Sequence, residues 1–154
     1  MVGDGDELPR LKEMVRAAGA ENRVLFEGRK SQTEVADLMR RSDAFVFPSI
    51  RELGAGVVVE AMASGAVCIV TDYGAPGELA ADGRGVRVSL GTLEELVDNY
   101  RAAMEACLLR PAEHTAMAEA ARDYALSSYT WDAKARSTEV IYSSILAERT
   151  IANI

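Results

Sequence analysis

Apolar residues recur along this chain with two different periods, and the switching between them predicts alternating helices and strands. Leu8, Leu11, Met14 and Val15 stand at helical spacing, and Gly19 is placed to end that helix. Arg23-Val24-Leu25-Phe26-Glu27 is a short β-rich run closed by Gly28. Ser31-Gln32-Thr33-Glu34 reads as a capping box, in which serine and glutamate each satisfy an unpaired N–H at a helix start. The helix it opens turns Val35, Leu38 and Met39 inward and ends on Arg40-Arg41, two cations at its negative pole. Ala44-Phe45-Val46-Phe47 is an apolar run of strand length stopped by Pro48. After a glycine-rich stretch, residues 57–64 predict a short helix ended by Gly65. Val67-Cys68-Ile69-Val70-Thr71 predicts a second buried strand, and Val86-Arg87-Val88 a weaker third. Thr92-Leu93-Glu94-Glu95 is another capping box, opening a long helix. Its Leu93, Leu96, Val97, Tyr100, Ala103 and Met104 form an apolar stripe expected in the core. Pro111 starts a further helix, and the last follows Thr130-Trp131-Asp132, with the Trp131 ring expected to be buried as its anchor.

Strands buried on both faces and separated by helices make a βαβ series, so the fold class is α/β with a mostly parallel sheet covered by helices. Only Met1-Val2 precede the glycine turn Gly3-Asp4-Gly5, so the sheet is expected to lack its first βα unit. An open edge or apolar face is expected to remain at that side, and with it self-association or low thermal stability.

Composition narrows the function. The 154 residues carry 17 Lys+Arg against 24 Asp+Glu, a net charge of −7. That balance argues against nucleic acid as a partner, because binding phosphate backbones needs clustered cations. The apolar runs fall far short of the ~20 residues that span a bilayer, and the acidic start is unlike a signal peptide. A cytoplasmic location is therefore expected. Cys68 and Cys107 form no CxxC and His114 is the lone histidine, so neither a disulfide framework nor a Cys/His metal site is expected.

In open α/β sheets, ligands sit beyond the carboxyl ends of the strands, here residues 3–6, 28–31, 48–56 and 72–78. The richest of these loops runs Pro48-Ser49-Ile50-Arg51-Glu52-Leu53-Gly54-Ala55-Gly56-Val57-Val58-Val59-Glu60. Its small residues, Gly54, Ala55 and Gly56, let a ligand approach the backbone. The helix that follows aims unpaired N–H groups and a positive pole at the same spot, which suits a diphosphate. Glu60 lies inside an apolar run, so it is expected to be buried and bonded to donors such as ribose hydroxyls. Glu52 could hold a second set of hydroxyls. A plainer reading of both stays open, with Glu60 complementing the helix dipole and Glu52 a solvated loop charge.

Residues 48–79 resemble the signature of family-4 (group 1) retaining glycosyltransferases, in the C-terminal half of their GT-B fold. The family pattern is Glu-x7-Glu, Ala-Met-Ala-x-Gly, an apolar strand, then small residues and Glu. This chain reads Glu52-x7-Glu60, Ala61-Met62-Ala63-Ser64-Gly65, Val67 to Val70, and Asp72-Tyr73-Gly74-Ala75-Pro76-Gly77-Glu78. Val2-Gly3-Asp4-Gly5 is similar to the family's Gly-x-Gly turn, and Tyr129-Thr130-Trp131 to the start of its closing helix. The resemblance implies a Rossmann-like three-layer α/β/α domain over residues 1–128 and a closing helix over 129–154. It implies a hexosyltransferase that moves a glycosyl group from a nucleoside-diphosphate sugar to an acceptor hydroxyl with retention, with no metal and no cofactor. Glu60 would hold the ribose, and Glu52, as the catalytic carboxylate, the donor sugar near the reacting carbon. Gly54, Ala55, Gly56 and Val57 would hold sugar and diphosphate, while Arg29, Lys30 and Ser31 would line the base pocket.

The chain departs from the family at several points. Many members have Phe-Gly where it has Gly54-Ala55, and Val67 and Asp6 replace common prolines. The family's Arg and Lys for the leaving diphosphate lie upstream of the Gly-x-Gly turn, and the acceptor is bound by an N-terminal domain. Without them the chain is expected to be inactive alone, and membrane contact in the intact enzyme would belong to the other half. The alternative is a catalytically inactive nucleotide-sugar-binding or regulatory module. Other chemistries fit less well. A dinucleotide GxGxxG would need glycine at Leu8, and His114, expected at the surface, is remote from Ser49 and Ser64.

Overall fold

The computed structural model describes residues 1–151, with side chains described through Ala147; positions 152–154, assigned above to the closing helix, lie outside the described residues. The chain forms α1 (Leu8–Ala17), α2 (Gln32–Arg40), β1 (Ala44–Phe47), α3 (Gly56–Ala63), β2 (Val67–Thr71), α4 (Gly74–Leu79), β3 (Val86–Val88), α5 (Leu93–Leu109), α6 (Pro111–Ser128) and α7 (Trp131–Ile151). The three strands make one parallel sheet in the order β1-β2-β3, with Ala44 opposite Val67 and Ile69 opposite Val86. α3 and α4 are the crossovers; the sequence reading of a helix between the first two strands holds, and α4 is a second crossover that it did not include.

Side chains alternate across the sheet and build two cores. Phe45, Phe47, Cys68 and Val70 face a layer formed by Val58, Ala61 and Met62 of α3 together with Ala121 and Ala125 of α6. Ala44, Val67, Ile69 and Val86 face the other way, toward Tyr100 and Leu96 of α5 and Ala118 of α6. With α3 on one face, α5 on the other and α6 contributing to both, the fold is a three-layer α/β/α sandwich. Met62, Ile69, Val58 and Val70 are the large aliphatic residues fully buried here. Burial pushes the Cys68 thiol up to about 12, so it behaves as a small hydrophobe. Both capping boxes form: Ser31 exchanges bonds with Glu34, and Thr92 with Glu95.

Several expectations are corrected. Arg23 to Glu27 do not join the sheet: Arg23 lies in a turn, its N–H donating to Ala20 O at 2.9 Å, and the residues after it pair with the N-terminal residues, Glu27 N–H donating to Met1 O at 2.8 Å and Gly3 N–H to Gly28 O at 2.8 Å. α4 escapes sequence reading because Gly-Ala-Pro-Gly looks like a turn, yet Pro76 sits early in the helix, where a missing N–H costs little. The α5 stripe is not a core stripe: Tyr100 is buried and Leu96 and Ala103 half-buried, but Leu93, Val97 and Met104 are exposed. His114 is buried, its Nδ1 bonded at 2.7 Å to the Arg110 carbonyl one turn earlier. Trp131 is 91% exposed and anchors nothing; Ala133 is buried instead.

On the Ala44–Val46 face of β1, α5 and α6 stand back from the strand and leave Val46 partly exposed. A cavity of about 790 Å³ opens there, floored by Ala44, Val46, Val67 and Ile69 and walled by Met104, Leu108 and Ala118. It lies toward the starts of the strands, away from their carboxyl ends.

Candidate functional site

The site loop begins where β1 ends. Tyr100, from α5, donates its hydroxyl proton to the Phe47 carbonyl at 3.1 Å, and its oxygen lies 2.9 Å from Thr71 Oγ1. A phenol has one proton to give, so Thr71 is the donor in the second bond. These bonds tie the carboxyl ends of β1 and β2 together beneath the loop. Burial of the Tyr100 hydroxyl raises its pKa, partly offset by the Thr71 bond.

At the other end of the loop, Ala55 caps α3 in the left-handed region, with φ 46 and ψ 42. This is the position where many family members carry glycine, and the backbone shows why. No side chain caps α3, so the N–H groups of Gly56 and Val57 have no intrahelical acceptor. A Cβ added to Gly54 or Gly56 would meet nothing within 4 Å, and neither has a positive φ. Protein packing does not demand glycine at either place; both keep open the space in front of the helix start.

Glu60 is exposed, correcting the expectation of burial. Helical period explains it: Val58, Ala61 and Met62 turn into the core and Glu60 turns out. Its Oε1 accepts a hydrogen bond from Gln32 Nε2 at 3.2 Å. Glu52 is also exposed, and its Oε1 accepts from Ser49 Oγ at 3.1 Å. Neither carboxylate belongs to an ion pair among the described residues, whereas Glu27, Glu34, Asp37 and Asp72 each face a cation. The two carboxylates named from the sequence are therefore held by neutral donors.

The loop at 29–31 is less open. Lys30 lies 3.2 Å from Glu27 and 3.8 Å from Glu34, so its ammonium is engaged. Ser31 spends its N–H and hydroxyl on the Glu34 carboxylate at 2.8 and 2.7 Å, leaving α2 capped and no free serine proton. Those bonds, the backbone one first, hold the Glu34 carboxyl below the usual range. Arg29 is exposed and pairs with no carboxylate among the described residues. The structure thus brings the 31–32 segment to Glu60, while Glu52 is held within its own loop. Sequence reading missed Gln32 and Ser49 as site residues. Gln32 lay inside the recognised capping box, but its partner stands 28 positions away.

Among the described residues no three His, Cys, Asp or Glu side chains converge as metal ligands. Among the described residues no helix is long and apolar enough to cross a membrane. A smaller cavity of about 150 Å³ is framed by Gly3, Gly5 and Phe26 at the glycine turn.

Residues 1–124 match the family model described as glycosyl transferases group 1. The chain is similar to N-acetyl-alpha-D-glucosaminyl L-malate synthase of Bacillus anthracis, 33% identical over 150 residues, covering 96% of this chain and 38% of that protein. The lipopolysaccharide core biosynthesis mannosyltransferase LpsB of Rhizobium meliloti is 33% identical over 141 residues, covering 88% and 38%. Among solved structures, Anabaena Alr3699/HepE in complex with UDP and glucose superposes with a TM-score of 0.73 at 25% identity, over 92% of this chain and 39% of that one. The chain spans less than two fifths of the length of these relatives. Together with the α/β sandwich, the match over residues 1–124 settles the family: the chain belongs to the group 1 glycosyltransferases, whose fold is GT-B.

Proposed function

We propose that this chain is the donor half of a retaining hexosyltransferase and binds a nucleoside-diphosphate sugar across residues 28–60. The observation that carries the reading is the pair of carboxylates, Glu52 and Glu60, outside every ion pair of the described residues and set on either side of an uncapped helix start. Glu60 takes the ribose hydroxyls and Glu52 those of the sugar. The N–H groups of Gly56 and Val57, with the positive end of α3, face the diphosphate. Arg29, exposed and unpaired, lies by the base, and Lys30 and Ser31 shape that wall through their backbone. In the intact enzyme an N-terminal domain brings the acceptor. Its hydroxyl oxygen bonds to the anomeric carbon on the face the leaving group departs from. The bond to the diphosphate breaks with its electron pair on the diphosphate oxygen, which takes up the hydroxyl proton. The rate depends on stabilising that developing charge, here by helix N–H groups and protein cations in place of a metal. UDP bound by Anabaena Alr3699/HepE supports a nucleotide at this site.

Heteronuclear NMR titration with UDP, GDP, ADP and their glucose conjugates tests the reading. Saturable shifts at residues 28–32 and 52–60 with one nucleotide, weakened by Glu60→Gln, are the expected result. Shifts confined elsewhere, or an unaffected Glu60→Gln variant, would refute it.

A further inference from the structure

We propose that Gln32 completes a two-acceptor cradle for a vicinal diol, its side-chain amide fixing the Glu60 carboxylate and its carbonyl standing beside it. The inference rests on the reading of residues 28–60 as a nucleotide-sugar site and names the residue that makes that site read hydroxyl pairs.

Gln32 is the first residue of α2, directly after Ser31, whose reciprocal bonds with Glu34 fix the backbone there. From that fixed point its Nε2 reaches Glu60 Oε1 at 3.2 Å, linking α2 to α3 across 28 positions. An amide carries two donors and a carbonyl acceptor. With one N–H spent on Glu60, the Gln32 carbonyl and Glu60 Oε2 are left as acceptors without partners among the described residues. Two neighbouring acceptors match a ribose cis-diol, which offers two O–H donors. A lysine or arginine in this place would grip the carboxylate more strongly but bring no acceptor. Carboxylates elsewhere on the surface show that alternative, Asp37 paired with Arg40 and Asp98 with Arg101. A carboxylate held by a neutral amide is oriented yet still able to accept.

Calorimetric titration of the full chain with UDP, GDP and ADP, and with the 2′-deoxy form of whichever binds, tests the inference. The wild type is expected to prefer the ribonucleotide. Gln32→Ala is expected to weaken it about three- to tenfold, the worth of one net hydrogen bond or slightly more, and to leave the 2′-deoxy affinity within about twofold. The preference collapses. Gln32→Glu sets a like charge beside Glu60, so its affinity should be poorest near neutrality and recover toward pH 5 as the pair takes up a proton. A role confined to folding would lower both affinities together and would not introduce that pH profile. Equal effects on both nucleotides, or none, would overturn the inference. If Glu60→Gln weakens binding and Gln32→Ala does not, this inference alone fails. If no nucleoside diphosphate binds the wild type, the underlying reading fails and takes this one with it.

Discussion

Ala55 shows how much one residue can store at a site. An L-residue in the left-handed region costs about 1–2 kcal/mol, and Ala55 holds it while buried at the start of α3. A β-branched side chain fits that conformation far worse. Ala55→Val is therefore expected to lower stability by about 2 kcal/mol or more in urea unfolding. Ala55→Gly should be close to neutral, relief of strain being offset by a lost buried methyl and a looser unfolded chain. The left-handed position was foreshadowed in the sequence by the family's glycine there, but its consequence needed the backbone. Glu60 was misjudged for a similar reason. Three valines before it look uniformly buried, and only the turn of a formed helix separates Val58 from Glu60. Its bond to Gln32 depends on tertiary approach, which no local pattern records.

Elements whose signals are local were legible. Both capping boxes were readable because their four residues interact only with one another. They also make acid sensitivity an element-level property. The Thr92 backbone N–H, then its hydroxyl, lowers the Glu95 pKa, and Ser31 does the same for Glu34. A carboxyl whose folded pKa lies below its unfolded value stabilises fully above the unfolded pKa, and that contribution is lost as pH falls through the folded one. The expected window opens near the ordinary glutamate value of about 4.3 and extends downward. Urea unfolding at pH 7, 4 and 3 should show the Glu34→Gln/Glu95→Gln double variant losing less stability across that window than the wild type. An identical loss in both would place the acid sensitivity elsewhere. Elements that answer to distant partners were not legible. The exposed Leu93 and Val97 have the spacing of core residues, and the segment from Arg23 to Glu27 has strand composition yet stays outside the sheet.

At the scale of the whole molecule, the partly exposed face of β1 bears on behaviour in solution. Val46 is 37% exposed on a strand whose one partner in the sheet is β2, and the adjoining cavity combines an aliphatic floor with polar groups at its rim, Asp43, His114, Glu119 and Arg122 among them. Such a face recruits another apolar surface. We expect light scattering to report a mass above 16.6 kDa that rises with concentration, and Val46→Lys to reduce it. A monomer at all concentrations would show that this face is tolerated in water. From the sequence an open edge or apolar face was expected at the N-terminal side; how far Val46 goes uncovered depends on where α5 and α6 come to rest, which no local pattern records. The neutral holding of Glu52 and Glu60 has a further consequence for encounter kinetics. Arg29 and Arg51, in the same stretch and outside the ion pairs of the described residues, offset those two charges locally, but the chain's net charge of −7 still repels an incoming diphosphate over distances of about a Debye length. Raising ionic strength should then quicken association in stopped-flow measurements, the reverse of the slowing seen when opposite charges steer a ligand home.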